Sequence, residues 1–332
     1  MSSIVTLTMN PAIDVSIAVD RIASGAKLRC QGGERDPGGG GVNVARVVQR
    51  LGADAVAVYP AGGVMGALLQ QLVAREGGRS VAVPIAGETR EDFTVLEKHS
   101  GEPYRFVLPG PHLQGVEWMA CLKALANLSV RPKVICASGC LPPGVPEDLY
   151  ASVARIASGW GARLVLDASW PALKAALDAH VHLIKPNLAE MGELSGAALD
   201  DEASLVRACG ALIEQRRVDA VALTLGAKGA LLVTPDGAWR ARAPRVNAVS
   251  TVGAGDSFLG AMIWAQASGK SLQEAFRYGA AGGAAAVLAA GTELAHAAEV
   301  RRLFAQVVVE DIHHATRALS LVNPVRAGQP PG

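Results

Sequence analysis

Short apolar runs rich in β-branched residues recur along the chain, and helical patterns lie between them. Several runs are apolar at nearly every position, which is typical of strands covered on both faces of a parallel sheet. The predicted strands are Ile4–Thr8, Ala55–Tyr59, Val134–Ala137, Leu164–Asp167, Leu183–Lys185 and Ala220–Thr224. The helices predicted between them include Asn43–Leu51, Ala67–Glu76 and Glu147–Ser158. The alternation predicts an α/β fold in which a doubly wound, mostly parallel sheet is flanked by helices.

Two segments, Asp14–Glu34 and Thr89–Val107, break this alternation because they carry charged or alternating strand-like patterns with no helix between the strands. We expect them to pair into a small β-sheet that stands off the main domain as a lid over the strand ends. Ordinary surface hairpins are the alternative. Farther along, the runs Gly229–Thr234 and Trp239–Val246 flank a Pro-Asp-Gly turn and predict a hairpin.

The length and composition indicate one large domain. The chain has 332 residues, of which 50% are hydrophobic, enough to fill a sizeable core. The domain is predicted to span residues 1–310, because residues 311–332 lack periodicity and are typical of a disordered tail. The 31 basic and 30 acidic residues nearly balance, which argues against non-specific binding to nucleic acid or to an anionic membrane. Any bound anion therefore requires a local site.

The five cysteines form no Cys-X-X-Cys pair, which is typical of reduced thiols in a cytosolic protein. The first residues lack the basic and apolar regions of a signal peptide, and no apolar stretch has the length and continuity of a membrane span. We therefore expect a cytoplasmic protein.

Four consecutive glycines, Gly38–Gly41, precede the first predicted helix. Such a run is costly inside a strand or helix, but it suits a place where the backbone approaches a ligand closely. Asn43 lies near the first turn of that helix, where its amide could hold a substrate hydroxyl group. A flexible loop is the alternative. A dinucleotide site is disfavoured, because its glycines would follow the first strand directly and about thirty residues intervene here.

The segment Ser250–Gly260 contains the strongest candidate for chemistry. Gly253, Ala254 and Gly255 lead into an apolar helical pattern, so their N–H groups face outward at a helix N-terminus and form an anion site. Asp256 follows, where a carboxylate could take the proton of an attacking hydroxyl group while the anion site holds a phosphoryl group. An acid that only stabilises the helix N-terminus is the alternative. The chain has no Walker lysine motif, so it is not a P-loop enzyme.

A third candidate, Lys185–Glu190, follows a predicted strand. Asn187 and Glu190 are three residues apart, so they lie on one face of a helical turn and could organise hydrated Mg²⁺ beside a triphosphate. The glycine turn Thr224–Gly229 also follows a strand and suits a position beside a nucleotide.

Positive side chains occur on both predicted lid segments, at Lys27 and Arg29 on the first and at Arg90 and Arg105 on the second. Solvated surface charge is the ordinary interpretation of each one alone. Together they suit a phosphate group on the substrate.

In this order, the motifs resemble the ribokinase-like carbohydrate kinases over about residues 4–300. The glycine run with Asn43, the Lys185–Glu190 segment and the Gly253–Asp256 helix start carry the resemblance. Within the family, the bacterial B-type 6-phosphofructokinases are the most similar branch, by Lys27–Cys30, Pro37–Asn43, Tyr104–Phe106 and Leu141–Gly144.

The resemblance implies ATP-dependent phosphorylation of fructose 6-phosphate at its C1 hydroxyl group, giving fructose 1,6-bisphosphate and ADP. Asp256 is then the general base, and Gly253, Ala254 and Gly255 form the anion hole. ATP and Mg²⁺ are the implied cofactors, Glu190 acts on Mg²⁺ through water, and a homodimer forms through the lid. Tagatose-6-phosphate kinase, 1-phosphofructokinase and a non-catalytic sugar-phosphate-binding regulator are the alternatives.

The resemblance also implies three sets of binding residues. Those for the sugar phosphate are Asp14, Lys27, Gly39, Gly40, Asn43, Arg90, Arg105 and Gly139. Those for ATP are Lys185, Asn187, Thr224, Gly226, Gly229, Ala280 and Gly283. Those for a K⁺ ion are Ser250, Val252, Ala286 and Gly291.

Four positions depart from the family pattern. Cys140 stands where the family usually has serine, which alters a substrate contact or creates an oxidation-sensitive thiol. Ala289 and Glu293 replace polar or basic groups near the implied K⁺ site. Ala23 replaces an aromatic residue that reaches the neighbouring subunit's site.

Overall fold

A computed structural model describes residues 4–312. The strands in this range are β1 (Ile4–Leu7), β2 (Ala12–Val19), β3 (Gln31–Gly38), β4 (Ala55–Ala61), β5 (Arg79–Pro84), β6 (Arg90–Glu97), β7 (Pro103–Phe106), β8 (Val134–Ser138), β9 (Arg163–Asp167), β10 (Val181–Ile184), β11 (Val218–Thr224), β12 (Ala230–Thr234), β13 (Gly237–Arg242) and β14 (Val308–Asp311). The α-helices are α1 (Gly40–Arg50), α2 (Gly63–Arg75), α3 (Gly115–Ala126), α4 (Leu149–Gly159), α5 (Ala172–Ala176), α6 (Leu188–Ser195), α7 (Glu202–Glu214), α8 (Ala254–Ala267), α9 (Leu272–Ala286) and α10 (Ala297–Phe304).

The main sheet has ten strands in the order β14-β13-β12-β11-β10-β9-β8-β1-β4-β5. The strands from β5 to β11 pair in parallel, and β12, β13 and β14 add an antiparallel edge. Successive residues of one strand enter different cores, because side chains alternate between the two faces. Ile4 thus packs into one apolar core and its neighbour Val5 into the other. The doubly wound α/β fold and all six predicted strands are confirmed.

Several boundaries differ from the prediction; helix α2, for example, begins at Gly63 and not at Ala67. Helix α1 begins at Gly40, three residues before the predicted start, because Gly39 already has the N-cap position. At the other end, β14 pairs with β13 and Ile312 N–H donates to the carbonyl oxygen of Ala238 at 2.9 Å. The sheet therefore extends past the predicted boundary at residue 310, and the rest of the predicted tail, residues 313–332, lies outside the described residues.

The two segments that break the α/β alternation pair into a second sheet, with the strand order β3-β2-β6-β7. Its strands β2 and β3 follow β1 directly in the chain, and β6 and β7 follow β5, so the sheet starts from the carboxyl ends of these two strands. In open α/β sheets, ligands bind at this edge. The register places Asp14 opposite Asp36 on one side and opposite Asp92 on the other. The predicted small sheet is therefore present, and it carries acidic side chains to the carboxyl edge of the main sheet.

Candidate active site

The glycine run packs tightly at the carboxyl edge of the main sheet. A Cβ atom on Gly40 would lie 2.3 Å from Ser138 Oγ, and one on Gly41 would lie 2.5 Å from Thr8 Oγ1. Gly39 has φ 101°, a conformation that favours glycine. These contacts exclude the flexible-loop alternative. They also show that Gly40 and Gly41 are required by neighbouring protein atoms.

Asp256 lies in the first turn of α8, whose N-cap residue is Gly253 with φ 71°. Asn43 Nδ2 donates a hydrogen bond to Asp256 Oδ2 at 2.9 Å, so the two strongest sequence candidates are in contact. Burial raises the pKa of Asp256 to about 6, the nearby charge of Asp167 adds to the rise, and the hydrogen bond from Asn43 opposes it. Asp256 is therefore ionised at neutral pH and basic enough to accept a proton.

A buried cation lies beside the N-terminus of α8. Lys185 is only 6% exposed, and its Nζ lies 3.2 Å from Asp167 Oδ1. A Cβ atom on Gly255 would lie 3.4 Å from the same Nζ. Burial acts to lower the pKa of Lys185, but the carboxylates of Asp167, Asp256 and Glu190 outweigh it and the pKa is raised. The ammonium group and the N–H groups at the helix start are therefore placed to hold an anion together.

Asp167 was missed as a site residue by the sequence analysis, which placed it only as the last residue of a strand. It ends β9, its Oδ1 pairs with Lys185, and Ser138 Oγ approaches its Oδ2 at 3.5 Å. The signal was available. A lone acidic residue at the carboxyl end of an apolar parallel strand lies where ligands of such sheets bind.

Most of the predicted nucleotide residues lie at the ends of β10 and β11. Asn187 forms an isolated parallel bridge with Thr224 and is the N-cap residue of α6. Its Oδ1 accepts from Glu190 N–H at 2.9 Å, and Glu190 Oε2 accepts from Asn187 N–H at 2.8 Å. Burial raises the pKa of Glu190, while the bond from Asn187 lowers it. The capping box occupies only one Glu190 oxygen, so the other can face a ligand.

In residues 4–312, no group of three or more His, Cys, Asp or Glu side chains could hold a metal ion. A Mg²⁺ ion there would need phosphate oxygens and water as its main ligands, with Glu190 and Asp167 nearby, which fits the preference of Mg²⁺ for hydrated, substrate-bridged sites. No helix in the same range is long and apolar enough to cross a membrane.

Small residues predicted to border the nucleotide have other packing roles. Gly229 has φ 93°, and a Cβ atom there would lie 2.1 Å from the carbonyl oxygen of Ala241, so the hairpin itself requires glycine. A Cβ atom on Gly283 would lie 3.3 Å from the carbonyl oxygen of Ala254, where α9 packs on α8, and Ala280 on the same helix is buried. Around Gly226 (φ 58°) the space is open, so it can border a ligand.

The predicted acceptor residues lie next to Asp256. Burial raises the pKa of Asp14 to about 7, Asp92 adds to the rise, and Arg105 opposes it. A Cβ atom on Gly38 would lie 2.3 Å from Asp14 Oδ2, so the carboxyl group covers the start of the glycine run. Gly139, with φ 110°, lies directly beside Gly40. Asp14, Gly39, Gly40 and Gly139 thus lie around the start of α1, and Asn43 on that helix contacts the Asp256 carboxylate.

The predicted phosphate-binding cations are not all together. The Arg90 side chain is 8% exposed, pairs with Asp92 at 3.2 Å and donates to the carbonyl oxygen of Asn10 at 3.1 Å. Arg105 is exposed on β7, and its charge lowers the pKa of Asp14. Lys27 lies in the exposed loop between β2 and β3, at the end of the second sheet opposite to Asp14. The structure therefore brings Arg90 and Arg105 to the acceptor side and leaves Lys27 apart.

Arg90 also lines a cavity of about 550 Å³, bounded by the loops 107–109, 140–147 and 169–172. Cys140 lines the same cavity, and Asn10 Nδ2 donates to its sulfur at 3.3 Å. Cys140, which stands where the family usually has serine, therefore has its thiol beside Arg90, one of the predicted sugar-phosphate residues.

The residues of the implied K⁺ site lie in neighbouring loops. Ser250 Oγ donates to the carbonyl oxygen of Gly291 at 2.7 Å, and Ser250 N–H approaches the carbonyl oxygen of Val287 at 3.3 Å. Val252 and Ala286 are buried close by in the chain. The structure thus gathers carbonyl groups at the end of α9, and Ser250 already engages two of them, those of Gly291 and Val287.

The family model for pfkB family carbohydrate kinases matches residues 3–298. ATP-dependent 6-phosphofructokinase isozyme 2 of Mycobacterium tuberculosis is 41% identical over 301 residues, covering 91% of this chain and 88% of that protein. Phosphofructokinase-2 from Escherichia coli, solved in complex with potassium, is 36% identical with a TM-score of 0.88, covering 92% of this chain and 99% of that chain. The same protein in complex with fructose-6-phosphate is 34% identical with a TM-score of 0.87, at the same coverage. These matches confirm the predicted ribokinase-like fold and the predicted family resemblance.

Proposed function

The chain belongs to the pfkB family of carbohydrate kinases, and from that premise we propose that it transfers the γ-phosphoryl group of ATP to the C1 hydroxyl group of fructose 6-phosphate. One observation carries the proposal. The carboxylate of Asp256 is held by Asn43 at the N-terminus of α8, beside the buried Lys185. A base and an anion site are thus adjacent, which is the arrangement that attack of a hydroxyl group on a phosphoryl group requires.

In the proposed reaction, Asp256 takes the proton from the C1 hydroxyl group as its oxygen bonds to the γ-phosphorus. The bond from that phosphorus to the bridging oxygen breaks, and ADP leaves with the electron pair. The N–H groups of Gly253–Gly255 and the ammonium group of Lys185 hold the charge that spreads over the phosphoryl oxygens. When bound, Mg²⁺ would neutralise the triphosphate, and Glu190, which the capping box with Asn187 holds in place, would act on it through water.

For the acceptor, Asp14, Asn43 and the backbone at Gly39, Gly40 and Gly139 hold the sugar hydroxyl groups. Arg90 and Arg105 bind the 6-phosphate, because both cations are on the acceptor side and planar guanidinium groups match phosphate oxygens. Lys27 joins them only if its loop, or that of a second copy, reaches the site.

For the donor, Lys185, Asn187, Thr224 and Gly226 border ATP, and Gly229, Ala280 and Gly283 shape that side through the packing of the hairpin and of α9. A K⁺ ion binds near Ser250, Val252, Ala286 and Gly291. The potassium complex of the Escherichia coli protein supports this proposal.

ADP release from Mg-ATP, measured with a panel of acceptors with and without K⁺, tests the function. We expect the highest kcat/KM with fructose 6-phosphate, and a much lower value with fructose, which lacks the phosphate that the arginines bind. A preference for tagatose 6-phosphate or fructose 1-phosphate contradicts the substrate and keeps the reaction type. Turnover of none of them, with retained binding of sugar phosphate, favours a non-catalytic regulator.

The pH dependence tests the base. Asp256 acts when ionised and its pKa is about 6, so kcat/KM should be constant at neutral pH and fall as pH drops through about 6. The profile is measured from about pH 5 to about pH 9. The fall of kcat/KM at low pH is the acid limb of the profile. The Asp14→Asn variant is the control, because the titration of Asp14, whose pKa is about 7, could also cause an acid limb. A limb that disappears in this variant would assign the titration to Asp14.

We propose a homodimer formed through the second sheet, as family resemblance implies. All four residues of β7 are exposed at the sheet edge, and Tyr104 and Phe106 are 41% and 54% exposed. An edge strand with exposed aromatic side chains favours pairing with another chain. We expect a dimer by light scattering that dissociates in Phe106→Glu. Val308→Glu, at the exposed edge strand β14, is the matched control, and equal effects of both changes would contradict this interface.

A further inference from the structure

We propose that Arg46 is a positioning residue that fixes the side-chain amide of Asn43 and, through it, the carboxylate of Asp256. The inference rests on the proposed role of Asp256 as the general base. Arg46 is 3% exposed on α1, within the apolar face of the helix, and it has no part in the mechanism described above.

Arg46 determines the orientation of the Asn43 side-chain amide. Arg46 Nη1 donates to Asn43 Oδ1 at 3.2 Å, while Asn43 Nδ2 donates to Asp256 Oδ2 at 2.9 Å. A guanidinium group has only donors, so it can accept nothing from the amide nitrogen. A flipped Asn43 would set two donors against each other at Arg46 and two acceptors at Asp256. Arg46 therefore selects the one orientation that directs an N–H group at the base.

Arg46 is itself held in place by several acceptor groups. Its Nε and Nη2 bind both oxygens of Glu76 at 2.7 Å and 2.5 Å, and Nη1 also donates to the carbonyl oxygen of Pro37 at 2.8 Å. Asp36 Oδ1 lies 3.6 Å from Nη2. A bidentate pair with further acceptors leaves a buried guanidinium group little freedom to turn. Arg46 is thus fixed by the residue after α2 and by the end of β3.

Hydrogen bonds also connect the residues around Arg46 to the second sheet. Thr292 Oγ1 donates to Asp36 Oδ2 at 2.7 Å and lies 3.1 Å from Ser16 Oγ on β2. Asp36 and Ser16 both belong to the second sheet, and Thr292 follows Gly291. The same buried cation therefore contacts the amide that holds the base and the sheet that carries the acceptor residues.

Arg46→Lys tests the inference, because lysine keeps the charge but presents one point donor in place of the fork that binds Asn43, Pro37 and Glu76 together. We expect kcat to fall about 10- to 100-fold, as for a misplaced catalytic group, and KM for ATP to change less than about twofold. The acid limb of the pH profile should move to higher pH, because the bond from Asn43 lowers the pKa of Asp256 and would be weakened.

Two comparisons separate positioning from a structural effect. In an Asn43→Ala background, Arg46→Lys should change kcat by less than about twofold, because residues that act through one another are not additive. Arg50→Lys is the matched control. Arg50 lies one turn farther along α1 and faces the same Glu76 at 3.8 Å, but it binds the carbonyl oxygen of Leu294 instead of Asn43. This control should keep kcat within about twofold and leave the acid limb in place.

An equal loss of kcat in both Asn43 backgrounds, or an equal loss in Arg50→Lys, would overturn the inference. If thermal melting shows that Arg46→Lys does not fold, Glu76→Gln is measured in its place. Loss of the Glu76 carboxylate loosens the same guanidinium group, so the acid limb of the pH profile should again move to higher pH. An unmoved limb in that variant would also overturn the inference. Full activity of Asp256→Asn would instead contradict the proposed function, so the two failures are distinguishable.

Discussion

The Asp256→Asn variant is expected to lose about 10²- to 10⁴-fold in kcat while its affinity for ATP stays within a few-fold, the usual consequence of losing a general base. Asparagine has nearly the same shape and can keep a polar contact with Asn43, but it cannot accept the proton of the attacking hydroxyl group. Steady-state measurement of ADP formation gives kcat, and nucleotide titration gives the affinity. Near-normal turnover would remove Asp256 from the mechanism.

Asp14→Asn is the informative comparison, because Asp14 is also a carboxylate with a raised pKa but lies on the acceptor side. This change should raise KM for the sugar phosphate more than it lowers kcat. A loss of kcat as large as that of Asp256→Asn would show that the two carboxylates act as a unit.

The same Asp256→Asn variant should unfold at a higher temperature than the parent at pH 8. Folding raises the pKa of Asp256 from 3.8 to about 6, so the ionised form costs stability in the folded protein. The loss of stability is absent below pH 3.8, the pKa in the unfolded state. It grows as pH rises from 3.8 to about 6, the pKa in the folded state, and is complete above that value. Melting curves at about pH 4 should therefore show a smaller difference between variant and parent, and an equal difference at both pH values would contradict the burial cost.

Much of the fold and of the site could be predicted because the signals are local. Apolar runs identify the strands of the parallel sheet, and Gly253–Asp256 and Asn187–Glu190 each form a single helix start. Contacts between segments that are distant in the chain could not be predicted, because they leave no local pattern in the sequence. Nothing in the sequence around Asn43 indicates that its amide contacts Asp256, 213 positions away, or that Arg46 is buried beside it with Glu76.

The reason why a given position is glycine could not be predicted from the sequence either. A glycine required by a ligand and one required by close packing look alike in a sequence. The structure shows that Gly41 is required by Thr8 and Gly229 by the backbone of β13, whereas the space around Gly226 is open. The glycine positions thus predicted where the backbone lies close to other atoms. Only the packed structure shows whether those atoms belong to the protein.

The Lys185→Met variant is expected to lose about 3 to 5 kcal/mol of the free energy of unfolding, because removing one partner of a buried ion pair leaves the other charge uncompensated. The partner is Asp167, 3.2 Å from Nζ with a side chain only 15% exposed. The variant should also lose kcat, and its acid limb should move to higher pH, since Lys185 lowers the pKa of Asp256. Urea unfolding and the pH–rate profile measure the two effects.

Adding Asp167→Asn to Lys185→Met separates stability from catalysis. The double variant removes the uncompensated carboxylate, so the free energy of unfolding should recover by about 2 kcal/mol or more. Removing Asp167 should also return the acid limb toward lower pH, because its charge raises the pKa of Asp256. Activity should stay low, because the cation beside the phosphoryl group is still absent. Recovery of kcat together with stability would mean that Lys185 serves only to neutralise Asp167. Persistent instability would mean that the lost free energy of unfolding does not come from an uncompensated Asp167 carboxylate.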